Sequence, residues 1–361
     1  MLVVAHHAGL RIPLQRGALA ALVPVRLLRA LIYNGYEAVM VFFVISGFLI
    51  TTTALRRWET LAQIDLRAFY ARRFARIVPC LALLVAVLSV LHLSGAHDYV
   101  ISKPGQSLFR AILSAAFLHL NWYEGRTGYL PGGWDVLWSL SIEEAFYLAF
   151  PIVCLVLRRT WLLAPALGLL ALSLPVARAA LAENEVWMEK AYLPGMAAIA
   201  AGVLGALAVA RWPDPPRWVS LTLGVAGTAG VLAVLLVEDV LWPVLGNGTV
   251  LFLTTSAVCL VAACHVRGAR GEERALRGTG WLQSFGRLSY EVYLTHMFVV
   301  FAVVGVWRSR GSDLRYGFVW YVPIVCLAWA LGALVARFVS IPAERALRLR
   351  LVSRTGPSVR A

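Results

Sequence analysis

Charge is scarce in this chain. Asp, Glu, Lys and Arg make up 14% of its 361 residues and hydrophobic residues 60%, whereas a soluble domain carries about 25% charged residues. That balance excludes an ordinary water-soluble fold. Lysine is nearly missing, with Lys103 and Lys190 alone. The net charge is +14, yet the arginines form no basic face interleaved with aromatics, which excludes the usual nucleic-acid binder. Cysteine is sparse too. Cys80, Cys154, Cys259, Cys264 and Cys326 lie in or beside apolar runs without a Cys-x-x-Cys pair, so they read as small buried hydrophobes, with no disulfide framework and no metal site.

What the chain has in plenty is long apolar runs. Runs of the length that crosses a bilayer, roughly 17 to 25 residues, recur near 31–55, 77–95, 136–157, 161–182, 193–210, 218–237, 244–265, 288–307 and 317–339. A backbone in hydrocarbon must satisfy its own hydrogen bonds, so these runs predict an all-α polytopic transmembrane bundle. Residues 1–10 suggest a tenth span. That run is half a span, with no basic residues ahead of it, and the expectation is that this start lies about ten or more residues late. Residues 1–340 read as one membrane domain and residues 341–361 as a cytoplasmic Arg-rich tail.

The breaks between runs set the orientation. Arg56, Arg57, Arg67, Arg72, Arg73 and Arg76 crowd one loop, whereas 183–192 is mainly acidic and 238–247 holds Glu238 and Asp239 with no Lys or Arg. The positive-inside rule places the first in the cytoplasm and the other two outside. Alternation then puts Arg158 and Arg159, Arg211 to Arg217, the Arg267 to Arg277 cluster and the C-terminus inside. The segments Arg11 to Arg29 and Arg308 to Arg315 fall outside although both are basic. The segment from Ser107 to Leu120 is too short to span and is expected to be interfacial or re-entrant on the outer side.

Against this background, ionisable groups within the runs stand out. An acidic side chain at mid-span costs about 2.5–3.5 kcal/mol on the insertion scale, so Glu143 and Glu144 in "WSLSIEEAFYLAF" must face protein or water. Ser139, Glu143 and Tyr147 follow i, i+4, i+8 and form one polar stripe. Glu144 lies about 100° round the helix, where an interhelical bond or a loop contact would account for it. His6 and His7 add imidazoles that take up a proton near neutral pH. In "LSYEVYLTH", Ser289, Tyr293 and His296 form a second stripe, readable either as cavity lining or as aromatic belt and packing. In "FYARRFARIVP", Arg73 and Arg76 share a helical face beside Pro79 and serve either as an anion fork or as a topological anchor.

These stretches together resemble the membrane-bound acyltransferase 3 family, ten-helix enzymes that acylate glycans, lipids, macrolides and similar acceptors. The resemblance is carried by Val3 to Gly9, Val41 to Ile50, Arg72 to Pro79, Trp138 to Tyr147 and Leu288 to His296, in that order. It implies that His7, preceding Ala8 and Gly9, is the family histidine, with His6 the weaker candidate. It also implies that Glu143 and Ser139 belong to the Ser-x-x-x-Glu pattern and that Arg73 and Arg76 are the Arg-x-x-Arg pair. The family commonly places an Arg or Lys about eleven residues before the histidine, a position that would precede Met1.

The expected function is therefore transfer of an acyl group, with acetyl from acetyl-CoA as donor, to a hydroxyl of a glycan, lipid-linked sugar or macrolide-like acceptor. The setting is a multi-pass protein of a bacterial cytoplasmic membrane, with no metal and no nucleic acid. His7 would act as general base and Glu143 as its orienting carboxylate. Arg73 and Arg76 would hold the anionic donor, and Ser139, Tyr147, Tyr293 or His296 would serve the substrate or oxyanion. The rival readings are a proton-coupled solute transporter that uses the same buried groups as a path and a non-catalytic relative.

Overall fold

The structure, a computed structural model, describes residues 1–272 and 278–352, so part of the Arg267 to Arg277 cluster and the end of the expected tail lie outside it. The described chain is helical, with no strand. It runs α1 (Leu2–Gly9), α2 (Val25–Tyr33), α3 (Gly35–Trp58) and α4 (Leu66–Leu93), then three short helices, α5 (Leu108–Ala116), α6 (Leu120–Thr127) and α7 (Gly132–Asp135), of which α7 leads straight into α8 (Leu137–Leu157). Next come α9 (Thr160–Leu172), α10 (Leu174–Ala179), α11 (Glu185–Lys190), α12 (Tyr192–Arg211), α13 (Arg217–Leu245) and α14 (Gly248–Ala269). The last four are α15 (Gly280–Arg287), α16 (Ser289–Ser309), α17 (Tyr321–Val335) and α18 (Ile341–Val352).

Nine helical stretches of the described chain are long and apolar enough to cross a membrane, and they coincide with the nine long runs of the sequence. The protein is an integral multi-pass membrane protein. Leu162, Leu169, Leu172, Val225 and Val322 are among the large apolar side chains exposed on its flanks, as a surface solvated by lipid requires. The cysteines divide the same way: Cys80 and Cys154 are buried, whereas Cys264 and Cys326 face outward, and all are free. In hydrocarbon an outward-facing small apolar residue costs nothing, so burial is not demanded of them.

Close packing of α3 on α12 fixes the centre of the bundle. A Cβ at Gly47 would land on the Ile199 carbonyl oxygen, and one at Gly202 on that of Val44. Only glycine lets the two backbones approach this closely, the small-residue packing on which helices in lipid depend. α13 packs on α14 by the same device, with Gly227 against the backbone of Ser256 and Leu260.

Two spans run past their expected ends. α13 continues through a kink at Val237 (φ −134°, ψ 33°) to Leu245, so the acidic stretch expected as a loop is a second helical segment. The last span continues through one π-helical turn, Ala336–Ser340, into α18. Pro342 explains the wide turn: it lacks an N–H for the carbonyl four residues back and crowds that carbonyl, and an inserted residue relieves both. α18 then packs on α4.

The two basic segments that fit the charge rule poorly lie side by side at one end, where Ala18 N–H donates to Arg315 O at 3.0 Å. Nearby carboxylates offset part of their charge, as in Arg26 with Asp239 at 2.9 Å. The Ser107 to Leu120 segment forms α5 and the start of α6, both too short to span.

Candidate functional site

A cavity of about 770 Å³ opens between α3, α4, α8, α16 and α18 at the Arg-rich end of the bundle, the end that the positive-inside rule assigns to the cytoplasm. Its mouth is ringed by Arg57, Trp58, Arg72 and Arg348, and its inner part is lined by Phe42, Ser46, Glu143, Glu144 and Tyr147. α8 builds that inner part because residues four apart on a helix share a face. The Tyr147 hydroxyl donates to Glu143 Oε1 at 2.5 Å. The same oxygen accepts from Ser46 Oγ of α3, and Ser46 also meets the Tyr147 hydroxyl.

Arg73 completes this cluster from α4. Its guanidinium carbon lies 3.7 Å from the centroid of the Tyr147 ring, a cation held on an aromatic face. Its Nε is buried and has no hydrogen-bond partner among the described residues. Glu144, 9% exposed, lines the same cavity, so it serves the pocket and not the loop that its angular offset suggested. Glu144 is buried and Arg73 and Glu143 are half-buried, and charges so withdrawn from water are tolerable only as a mutually compensating set, here one cation with two carboxylates.

Arg76 is placed differently. Its Nη1 lies 3.6 Å from Glu291 Oε1 and 3.5 Å from Glu344 Oε2. Glu291 is 1% exposed, and neither of its carboxylate oxygens has a hydrogen bond from a described residue, so the nearby guanidinium is what offsets its charge. Arg73 and Arg76 thus share a helical face, as their spacing requires, but have different partners: an aromatic ring for Arg73 and two carboxylates for Arg76.

The second cluster is made of imidazoles. α1 packs on α16 and sets the His7 ring 5.2 Å from that of His296. His296 is fully buried; its Nδ1 lies 2.7 Å from the Tyr293 carbonyl, and its Nε2 has no partner among the described residues. A carbonyl only accepts, so Nδ1 carries the proton and Nε2 keeps a lone pair. His6 is occupied, with Nδ1 donating to the Ile32 carbonyl at 2.5 Å. No hydrogen bond to a described residue engages the ring of His7; Arg11 reaches only its backbone carbonyl, at 2.9 Å.

Tyr293 stands between the clusters. Its hydroxyl donates to Val136 O at 2.9 Å and lies 2.7 Å from Ser139 Oγ, and its ring stacks on Phe42 of the cavity wall, with centroids 6.5 Å apart. Of the residues singled out in the sequence, the structure therefore gathers Arg73, Glu143 and Tyr147 into the cavity, and His7, His296, Tyr293 and Ser139 into an adjoining group. It makes no hydrogen bond between His7 and Glu143: the neighbour of His7 is His296, and the partners of Glu143 are Ser46 and Tyr147.

Beyond the imidazoles lies a buried ion cluster. Lys190 Nζ is 2.9 Å from Glu124 Oε2 and pairs as well with Asp135. The other Glu124 oxygen accepts from Leu130 N–H at 2.9 Å. Burial, reinforced by Asp135 and opposed by Lys190, pushes the Glu124 carboxyl well above its ordinary range.

Several of these groups escape a reading of the sequence. Ser46 had a signal, a hydroxyl beside a glycine within the apolar run Val41 to Ile50. Glu344 and Arg348 had none, because they lie after the last apolar run and reach the cavity only through the π turn.

The acyltransferase domain family matches residues 1–338. Among curated proteins, the peptidoglycan O-acetyltransferase OatA of Listeria monocytogenes is 30% identical over 293 residues, covering 73% of this chain and 44% of that protein. The putative peptidoglycan O-acetyltransferase YrhL of Bacillus subtilis is 27% identical over 331 residues, covering 86% and 50%. A putative O-acetyltransferase of Staphylococcus aureus is 24% identical over 332 residues, covering 86% and 52%. The chain spans about half the length of the curated relatives it matches. No solved structure matches it. With the family's domain matched over almost the whole membrane bundle, the chain belongs to the acyltransferase family that the order of its motifs indicated.

Proposed function

We propose that this protein transfers an acetyl group from acetyl-CoA, taken up at the Arg-rich end, to a hydroxyl of a cell-wall glycan. The observation that carries the reading is the junction of two unlike sites: a cavity with half-buried Arg73 in its wall, and an unengaged imidazole, His7, in the cluster that adjoins it. Arginine is suited to anionic donors because its planar fork matches phosphate oxygens. A glycan acceptor is suggested by the names of the Listeria and Bacillus relatives.

In this reading the acceptor O–H loses its proton to His7 as its oxygen attacks the thioester carbonyl. The C–O bond forms, the C–S bond breaks, and the proton returns to the departing thiolate, giving the O-acetyl ester and CoA thiol. A base so placed contributes about 10² to 10⁴ in rate. His296 holds the His7 ring from one side, with ring centroids 5.2 Å apart. Tyr293 and Ser139 sit at the boundary where the carbonyl oxygen gains charge, and the Tyr293 O–H stabilises that charge by turning to it from Val136 O. Glu143 fixes Tyr147 and balances Arg73, which keeps the guanidinium at the inner part of the cavity.

The test is acetyl incorporation from radiolabelled acetyl-CoA into envelope glycan in membranes containing the wild type, His7→Ala or Glu143→Gln at equal expression. Transfer by the wild type with loss in His7→Ala supports the reading. Wild-type activity in His7→Ala overturns the assignment of the base. Solute uptake by proteoliposomes with no acetyl incorporation in membranes overturns the enzyme in favour of the transporter.

A further inference from the structure

α18 lies beyond the stretch matched by the acyltransferase family, yet it forms part of the cavity wall. It delivers Glu344 and Arg348, one helical turn apart and joined at 2.7 Å. Glu344 is shared, since its other oxygen faces Arg76 at 3.5 Å. Arg76, held between Glu291 and Glu344, is a positioning residue: it ties α4 to α16 and α18 and is not free for a ligand.

The cations still available sit at the mouth. Arg72 lies with its guanidinium carbon 5.2 Å from the Trp58 ring centroid, and its Nη2 is buried with no hydrogen-bond partner among the described residues. Arg57 is exposed on the same rim, and Arg348 is half exposed. Together they surround a half-buried indole. Five arginines and three glutamates line the cavity as a whole, so it has a surplus of positive charge. An aromatic face ringed by partly unpaired guanidinium groups matches a planar base carrying phosphates.

We infer that Arg348, acting with Arg57 and Arg72, grips the phosphates of the donor's nucleotide end while Trp58 stacks on its base, so that α18 sets the preference for a nucleotide-bearing thioester over one presenting pantetheine alone. This rests on the acyl-CoA reading. α18 can play this part because, running on from the π turn, it packs on α4. On binding, donor phosphate replaces Glu344 as the partner of Arg348.

The experiment measures binding of radiolabelled acetyl-CoA to the detergent-purified protein, competed by CoA, 3′-dephospho-CoA or pantetheine, for the wild type, Arg348→Ala and Arg348→Lys. The expected result is a loss of about tenfold in CoA affinity in Arg348→Ala, the scale of one charged hydrogen bond. Pantetheine should compete as it does with the wild type, and Arg348→Lys should recover part of the loss. The salt dependence of CoA binding should also flatten in Arg348→Ala. Unchanged CoA affinity in Arg348→Ala, or equal losses for CoA and pantetheine, overturns the role of Arg348 and leaves the acyl-CoA reading standing. Absence of saturable acetyl-CoA binding to the wild type overturns that reading and this inference with it.

Discussion

The Tyr293 hydroxyl lies 2.7 Å from Ser139 Oγ, and this bond joins α16 to α8 where the Arg-rich cavity meets the imidazole cluster. Tyr293 already donates to Val136 O at 2.9 Å, so Ser139 is the donor in the pair. Removing the phenol oxygen would leave the serine hydroxyl without this acceptor and the boundary without its hydroxyl. Tyr293→Phe is expected to lower kcat for acetyl transfer by about 10- to 100-fold, less than loss of a full oxyanion-hole donor. Acetyl-CoA binding should change little, and parallel turnover and equilibrium binding check the split.

His6 and His7 differ in engagement, and their variants should differ accordingly. His7→Ala should reduce acetyl transfer by about 10² to 10⁴, the worth of a general base, with normal membrane expression. His6→Ala breaks the bond to the Ile32 carbonyl and should act on stability, by about 1 kcal/mol, more than on rate. Initial rates and thermal melts of the two variants, measured side by side, test the distinction.

Arg73 and Arg76 should also separate. Arg73→Lys keeps the charge but loses the planar stack on Tyr147, and it should raise the KM for acetyl-CoA by about tenfold, on the scale of a partly desolvated cation–π contact. Arg76→Ala removes the half-buried cation facing buried Glu291 and should destabilise the fold by about 1–3 kcal/mol, the cost of leaving a buried polar group without its partner. Donor titrations for the first variant and melting in detergent for the second discriminate ligand-gripping from structural roles.

The α3 to α12 contact predicts a purely structural lesion. Gly202→Ala puts a methyl group onto the Val44 carbonyl and should cost about 1–3 kcal/mol, typical of overpacking. Gly305→Ala, in α16 at a helical position with open space, should cost nothing, since alanine is the better helix former. Unfolding midpoints of the two variants, taken in one detergent, check the order.

Lys190→Met probes the buried ion cluster. It leaves Glu124 and Asp135 facing one another without their shared cation, and a stability loss of about 3–5 kcal/mol is expected. Adding Glu124→Gln and Asp135→Asn to Lys190→Met should recover much of that loss, because the desolvated charges are gone with it. A triple-variant melt above that of the single variant is the outcome to look for.

The sequence by itself determined the solvent, the class and most of the spans. Apolar runs of bilayer length admit little but helices, since a lipid-exposed backbone must satisfy its own hydrogen bonds. Helical period alone put Glu143 and Tyr147 on one face, and the tandem histidines marked His7 as a residue out of place in lipid. Only the tertiary structure decided which of these groups meet. Partners on different helices are set by interhelical packing, which Gly47 and Gly202 control through backbone approach, and by tilt and depth, which no single run encodes. Hence the pairing of His7 with His296, the enclosure of Glu143 by Ser46 and Tyr147, and the capture of Arg76 by Glu291 and Glu344 were not legible in advance. The same holds for α18. Its polar, Arg-rich sequence reads as a tail, and one widened turn before Pro342 makes it a wall of the cavity.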